Sequence, residues 1–317
     1  MTEFTRNSND MKPAFRAQEL QAELERSLGF AIRSFKRLKS VNSLNFKAVR
    51  DADGFVFTVK CIPEWRRLGY DFIVRHLAEL KGTLAPQRVF EDCCPVSYAG
   101  HGLICLAWCE GGPVWPDRLS EAEMDAFLDA YLDFSRVLQG TTQHIEPYPA
   151  AKWRSDALAR CARGWGRLVR PFVEECREEE AFFRQEKLRV THGDLHPKNF
   201  AFQDGRVSGF FDIEGLTLGY PAWDILRYLT FSIDHLRFYE RHRTRAILAR
   251  FAQAVRKMPY SAEEWIVSVN VTWLEQVYKK LCTRRVSLLQ AVQLRLHARL
   301  FGELRRIVAE NAAPSRG

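Results

Sequence analysis

The chain has no uninterrupted apolar run of about 18 residues, the length a helical membrane span needs. Its amino terminus, MTEFTRNSNDMKPAF, has no basic start followed by an apolar stretch of the kind that directs secretion. A cytoplasmic protein with no membrane span is therefore expected. Paired C-x-x-C spacing is missing as well: the eight cysteines stand at Cys61, Cys93, Cys94, Cys105, Cys109, Cys161, Cys176 and Cys282. That pattern argues against a zinc cluster or a disulfide framework and leaves reduced core thiols as the reading. No repeat period is evident, which removes solenoids and propellers. Neither apolar nor charged residues are scarce, at 46% and 27%, so the chain can bury a core and is not disordered. Its 317 residues suit two domains on a prior of about 150 residues each.

Residues 15–28, FRAQELQAELERSL, place apolar positions at helical spacing, and Gly29 ends the run. The pattern then changes to short β-branched and aromatic runs, AIRSFKRL, NFKAV and FVFTVKCI, with Asp51-Ala52-Asp53-Gly54 as a hairpin signal between the last two. A helix is predicted over 64–80, and QRVF and LICLAW read as further strands. Glu110-Gly111-Gly112-Pro113 is punctuation, and the boundary is placed there. Beyond it the spacing predicts helices over about 121–139, 151–183 with interruptions, and four more between 221 and 310. An island of short strands, LRVTH, NFAF and VSGFFDI, lies between 188 and 212. The expected domains are 1–109, a strand-rich nucleotide-binding lobe, and 110–317, a larger helical lobe carrying catalysis and the acceptor.

The most informative segment is Val190-Thr191-His192-Gly193-Asp194-Leu195-His196-Pro197-Lys198-Asn199, followed by Gly209-Phe210-Phe211-Asp212-Ile213-Glu214. A strand enters a tight loop that displays an Asp and, five residues later, an Asn; a second Asp leaves the next hairpin. Phosphoryl transfer from a nucleotide needs this set: one carboxylate to orient and deprotonate the attacking hydroxyl, and an amide oxygen with another carboxylate to hold magnesium.

These residues resemble the H-G-D-L-H-P-x-N loop and following D-x-E of the aminoglycoside phosphotransferase and choline kinase-like family. Gly219-Tyr220-Pro221-Ala222-Trp223-Asp224 is similar to its G-x-P-x-x-D segment. The resemblance implies an α+β, two-lobed protein-kinase-like fold, with a small antiparallel-sheet lobe and a larger helical one. It further implies ATP and Mg2+ as cofactors, Asp194 as the catalytic base, and Asn199 and Asp212 as metal ligands, with Glu214 a candidate for a second metal or the substrate. His192 is expected to brace the loop, and Asp224 to anchor it. Lys60, closing the strand Phe55-Val56-Phe57-Thr58-Val59-Lys60, stands where the family's V-x-K lysine meets the phosphates; Asp71, ahead of Glu64, is its candidate carboxylate partner.

The chain departs from a glycine-rich phosphate loop. Ser40-Val41-Asn42-Ser43-Leu44-Asn45 contains no glycine, and Ser43 and Asn45 stand as polar candidates against a plain β-turn. Leu103 to Glu110 reads as the strand entering a hinge, where main-chain groups of Ala107, Trp108 and Cys109 would recognise a base, so GTP suits it as well as ATP. Trp223, Trp265, Trp273 and Tyr278 read as packing residues ahead of a cage for a quaternary amine.

The net charge of +8 is unevenly placed: residues 225–317 hold 17 Lys and Arg against 7 Asp and Glu, while residues 1–224 hold 30 against 32. A polycationic acceptor fits this poorly. Arg237, Arg241, Arg243, Arg245, Arg284 and Arg285 suit a sugar or another anionic metabolite, with a solvated basic face as the plainer reading. The expected function is transfer of the terminal phosphate of ATP to a small-molecule alcohol. The alternative is a degenerate nucleotide-binding pseudokinase. Nucleic acid is not expected as a partner, since no recognition motif accompanies the charge.

Overall fold

The structure, a computed structural model, describes residues 17–38, 44–63, 73–75, 77–92, 97–140, 145, 147, 150–161, 164–174, 188–231, 241–282 and 287–311. The chain divides into two compact units, Met1–Cys109 and Glu110–Gly317.

The first unit is an antiparallel sheet backed by one helix. Helix α1 (Ala17–Leu28) precedes strands β1 (Ile32–Arg37), β2 (Leu44–Arg50), β3 (Val56–Pro63), β4 (Ser97–Tyr98) and β5 (His101–Ala107), which lie in the order β1-β2-β3-β5-β4. The periodic leucines of α1, Leu20, Leu24 and Leu28, pack with Ile32, Phe46, Phe57, Val59, Cys61 and Cys105 in one core. Residues 73–75 and 77–79 are helical, and the rest of the helix predicted over 64–80 lies outside the described residues. QRVF does not form a strand: Arg88 makes only an isolated bridge to Leu106.

The second unit is mainly helical: α2 (Glu121–Leu138), α3 (Ala150–Cys161), α4 (Arg170–Glu174), α5 (Pro221–Thr230), α6 (Arg241–Lys257), α7 (Ala262–Cys282) and α8 (Leu288–Asn311). The α2 terminus is closed by a capping box in which Ser120 and Glu123 satisfy each other's backbone N–H. Between α4 and α5 lie two small ribbons. One pairs β6 (Arg189–Thr191) with β9 (Thr217–Gly219); the other pairs β7 (Phe200–Gln203) with β8 (Arg206–Phe210). Strand β9 has no apolar run of its own and escapes sequence reading because its partner is distant in the chain. Aromatic residues from α2, α5 and the second ribbon, Phe127, Phe134, Phe200, Phe210 and Tyr228, pack against one another in tilted, stacked and edge-on pairs. Trp223, Trp265 and Trp273 are fully buried and Tyr278 stacks on Trp153, so these rings serve packing. The antiparallel-sheet lobe and the larger helical lobe are the α+β, kinase-like architecture expected from the sequence. Among the described residues no helix is long and apolar enough to cross a membrane.

Candidate active site

Strand β6 delivers the chain into the loop His192–Asn199, and Gly193 makes that entry feasible. Its φ is +75°, and a Cβ placed there would lie 1.9 Å from the Gly215 carbonyl oxygen. Only glycine tolerates both constraints.

The loop is held from below by Asp224, which is fully buried on the first turns of α5. Its Oδ2 accepts from the His192 backbone N–H at 2.6 Å and from the Tyr131 hydroxyl at 2.8 Å, and its Oδ1 accepts from the Gly193 N–H at 2.9 Å. Burial raises the Asp224 carboxyl above the ordinary carboxylate range, opposed by His192 and by the Tyr131 hydrogen bond. Burial, and then the Asp224 charge, push the Tyr131 hydroxyl well above its usual value, so it remains a donor. The buried His192 ring braces the loop at both nitrogens: Nε2 lies 2.5 Å from the Phe211 carbonyl oxygen, and Nδ1 faces the Asp194 N–H at 3.4 Å.

Asp194 is displayed, with its side chain 46% exposed. Asn199 is buried, and its Nδ2 donates to the Asp194 carbonyl at 2.8 Å and to Asp194 Oδ2 at 3.3 Å. That commitment of the amide nitrogen makes Oδ1 the atom Asn199 offers to a cation. One backbone bond ties this residue to the next hairpin, since the Phe211 N–H donates to the Asn199 carbonyl at 2.7 Å. Asp212 follows in the left-handed region, at φ 54° and ψ 47°, uncommon for a non-glycine residue and typical of strained functional turns. The Glu214 backbone lies in the 3-10 turn Ile213–Gly215, and its side chain lies outside the described residues. His196 stacks on Phe231 with its Nε2 3.8 Å from Asp194 Oδ2, and burial lowers its pKa.

Three contributors carry no motif. Arg227, one turn along α5 from Asp224, places Nη2 2.8 Å from Asp194 Oδ1 and 3.1 Å from Glu275 Oε1 on α7. Lys279 lies 2.5 Å from the same Glu275 oxygen. The sequence offers one signal for the last two, an i, i+4 Glu–Lys spacing on a helix, and none that links them to Asp194.

In the first unit, Lys60 is 5% exposed and sits in register between Asn45 of β2 and Ile104 of β5. Strand alternation carries it to the face opposite Val59 and Cys61, which join the α1 core. Ser43, Asp71 and Glu64 lie outside the described residues. At the end of β5 the Ala107 N–H donates to the Gln87 carbonyl at 2.7 Å and the Trp108 N–H to the Val56 carbonyl at 3.3 Å. Those two donors are thus committed within the unit, and Cys109 follows them half-buried.

Of the arginines considered for an anionic acceptor, Arg243 pairs with Asp117 at 3.6 Å and Arg245 is exposed. Arg237, Arg284, Arg285 and the Arg241 side chain lie outside the described residues. Lys257 similarly binds Asp125 and Asp129 of α2, so part of the basic excess serves helix packing within the unit.

A comparison with curated protein sequences finds no match. Solved structures resemble the chain over nearly its whole length. An aminoglycoside phosphotransferase from Alicyclobacillus acidocaldarius aligns with a TM-score of 0.62 at 13% identity, over 97% of both chains. A spectinomycin phosphotransferase, solved with ADP and spectinomycin, aligns with a TM-score of 0.60 at 12% identity, over 94% of this chain and 99% of that one. The family model of the phosphotransferase enzyme family matches residues 35–265, a span that contains Lys60, the whole loop, Asp212 and Asp224. The chain belongs to the phosphotransferase enzyme family.

Proposed function

We propose that this phosphotransferase moves the terminal phosphate of ATP to a hydroxyl of a small molecule, with Asp194 as the base. The observation that carries the reading is the Asp194–Asn199 pair on a loop clamped by Asp224, one backbone hydrogen bond from Asp212. As the acceptor oxygen bonds to the terminal phosphorus, the hydroxyl proton passes to the Asp194 carboxylate. The bond from that phosphorus to the bridging oxygen breaks and leaves ADP. The spectinomycin phosphotransferase is described with ADP, which supports a nucleotide donor here.

Among the described residues no three His, Cys, Asp or Glu side chains converge as a metal cluster. A two-residue oxygen set fits magnesium, which keeps much of its shell for phosphate and water. Asn199, through Oδ1, and Asp212 would hold it, with Glu214 the next candidate; bound there, the ion neutralises phosphate charge. Lys60 is the proposed phosphate-facing cation, with Asp71 its candidate partner and Ser43 and Asn45 the candidate cap over the phosphates. Base recognition is assigned to the Ala107 carbonyl and the Cys109 main chain, which suits ATP and GTP alike.

The acceptor is proposed to be a sugar or another neutral or anionic metabolite. Asp194 is balanced by Arg227, and Glu275 by Arg227 and Lys279, so these carboxylates do not form the acidic pocket a polycation requires. A screen of metabolite fractions with terminally labelled ATP tests the whole reading. Wild type should label a product, and Asp194→Asn should lower the rate by about 10²–10⁴-fold. Undiminished transfer by Asp194→Asn rejects the mechanism. Nucleotide binding with no labelled product in any fraction favours a pseudokinase instead.

A further inference from the structure

One side chain that no motif marks stands at the centre of this site. Arg227 uses Nη1 to donate to the Gly193 carbonyl and Nη2 to reach Asp194 Oδ1, so a single planar guanidinium grips two consecutive residues of the loop. Its side chain is 14% exposed and lies over the Trp223 ring, 4.9 Å from the centroid. Behind it stands Glu275, only 3% exposed, whose Oε1 is shared between Arg227 at 3.1 Å and Lys279 at 2.5 Å.

We propose that Arg227 is a positioning residue for phosphoryl transfer: it locks the Asp194 carboxylate in the orientation that meets the acceptor hydroxyl, and Glu275, backed by Lys279, holds Arg227 in place. This rests on the phosphotransfer reading. Asp194 is nearly half exposed, and a pair with one partner so solvated contributes little stability. Burying Arg227 and Glu275 costs desolvation free energy in addition. What the arrangement secures is geometry. An exposed carboxylate turns freely about two torsions, whereas this one is pinned at Oδ1 by Arg227 and at Oδ2 by Asn199. Lysine, a point charge without the planar fork, cannot reproduce the double contact.

The test uses the full chain with magnesium and ATP, water as the acceptor, and phosphate release as the readout. Arg227→Ala should lower kcat by about 10²-fold with the KM for ATP little changed, because a displaced base loses rate rather than nucleotide affinity. Millimolar guanidinium should restore part of that rate by filling the vacated site. Arg227→Lys should stay well below wild type, and Glu275→Gln should fall by less than Arg227→Ala. Circular dichroism checks folding; if Arg227→Ala does not fold, the Lys and Gln variants carry the decision. Wild-type kcat in the Arg227 variants, or a loss of rate matched by a rise in KM without guanidinium rescue, overturns the positioning role alone. If wild type releases no phosphate, or Asp194→Asn is as active as wild type, the phosphotransfer reading falls, and this role with it.

Discussion

Lys60 and Asp194 reach their places by opposite means. Lys60 is set by ladder register: β3 pairs with β2 on one side and β5 on the other, so backbone bonds along the strands share the task of placing one side chain. Asp194 sits on a loop with no ladder of its own, and its entry is held by one buried carboxylate from a helix some 30 residues further along the chain. Placement by register is distributed and tolerant of side-chain change; placement by an anchored loop is concentrated and fragile.

The sharpest way to break that contrast is Asp224→Asn. It leaves two backbone N–H donors facing an amide that also carries hydrogens, and disrupting a buried charged network costs about 3–5 kcal/mol. The melting temperature of the second unit should fall by roughly 10 °C, while hydrogen exchange in β2, β3 and β5 stays near wild type. Equal loss of protection in both units would refute the difference. The sign with pH is also set. The folded pKa of Asp224 is raised, so the protonation-linked part of its contribution, apart from the hydrogen bonds its oxygens accept, is fully present below the unfolded value of about 3.9 and is lost as pH rises through the folded pKa. Stability measured against pH should lose that component in Asp224→Asn.

A smaller effect is expected from Tyr131→Phe, which deletes one hydrogen bond to Asp224 and leaves the two backbone donors. The loss should be about 1.5–3 kcal/mol by denaturant titration. Smallest is Lys60→Met. The backbone ladder from β3 to β2 and β5 does not depend on that side chain, so hydrogen exchange along β3 should stay near wild type. On the proposed role, nucleotide-dependent turnover should nevertheless be lost. A large loss of protection along β3 would show that the Lys60 side chain, and not the register, holds the strand.

Much of this was legible in the residues. The α1 leucines and the short apolar runs of β2 and β3 recur at periods short enough to read locally. So was the loop from His192 to Asn199, because its chemistry requires particular residue types at particular spacings. What escaped was whatever depends on a distant partner. QRVF has strand composition but makes one bridge, whereas Thr217–Gly219 has little such composition and pairs fully with β6. The basic tail suits an anionic acceptor or, more plainly, a solvated basic face; the structure adds that Arg243 and Lys257 are engaged by Asp117, Asp125 and Asp129. Counting charges along a chain does not say which of them meet.

By itself the sequence determined the class of chemistry and the kinase-like plan, since both reside in short-range pattern: hydrophobic period, turn residues, and a loop whose functional groups lie within eight positions. Only the tertiary structure decided which partners complete the loop. Arg227, Glu275 and Tyr131 come from three helices, and no local spacing brings Arg227 to Asp194, Glu275 to Arg227 or Tyr131 to Asp224. Helix packing set that convergence, because a buried carboxylate or guanidinium is stable only where the fold supplies its counterpart.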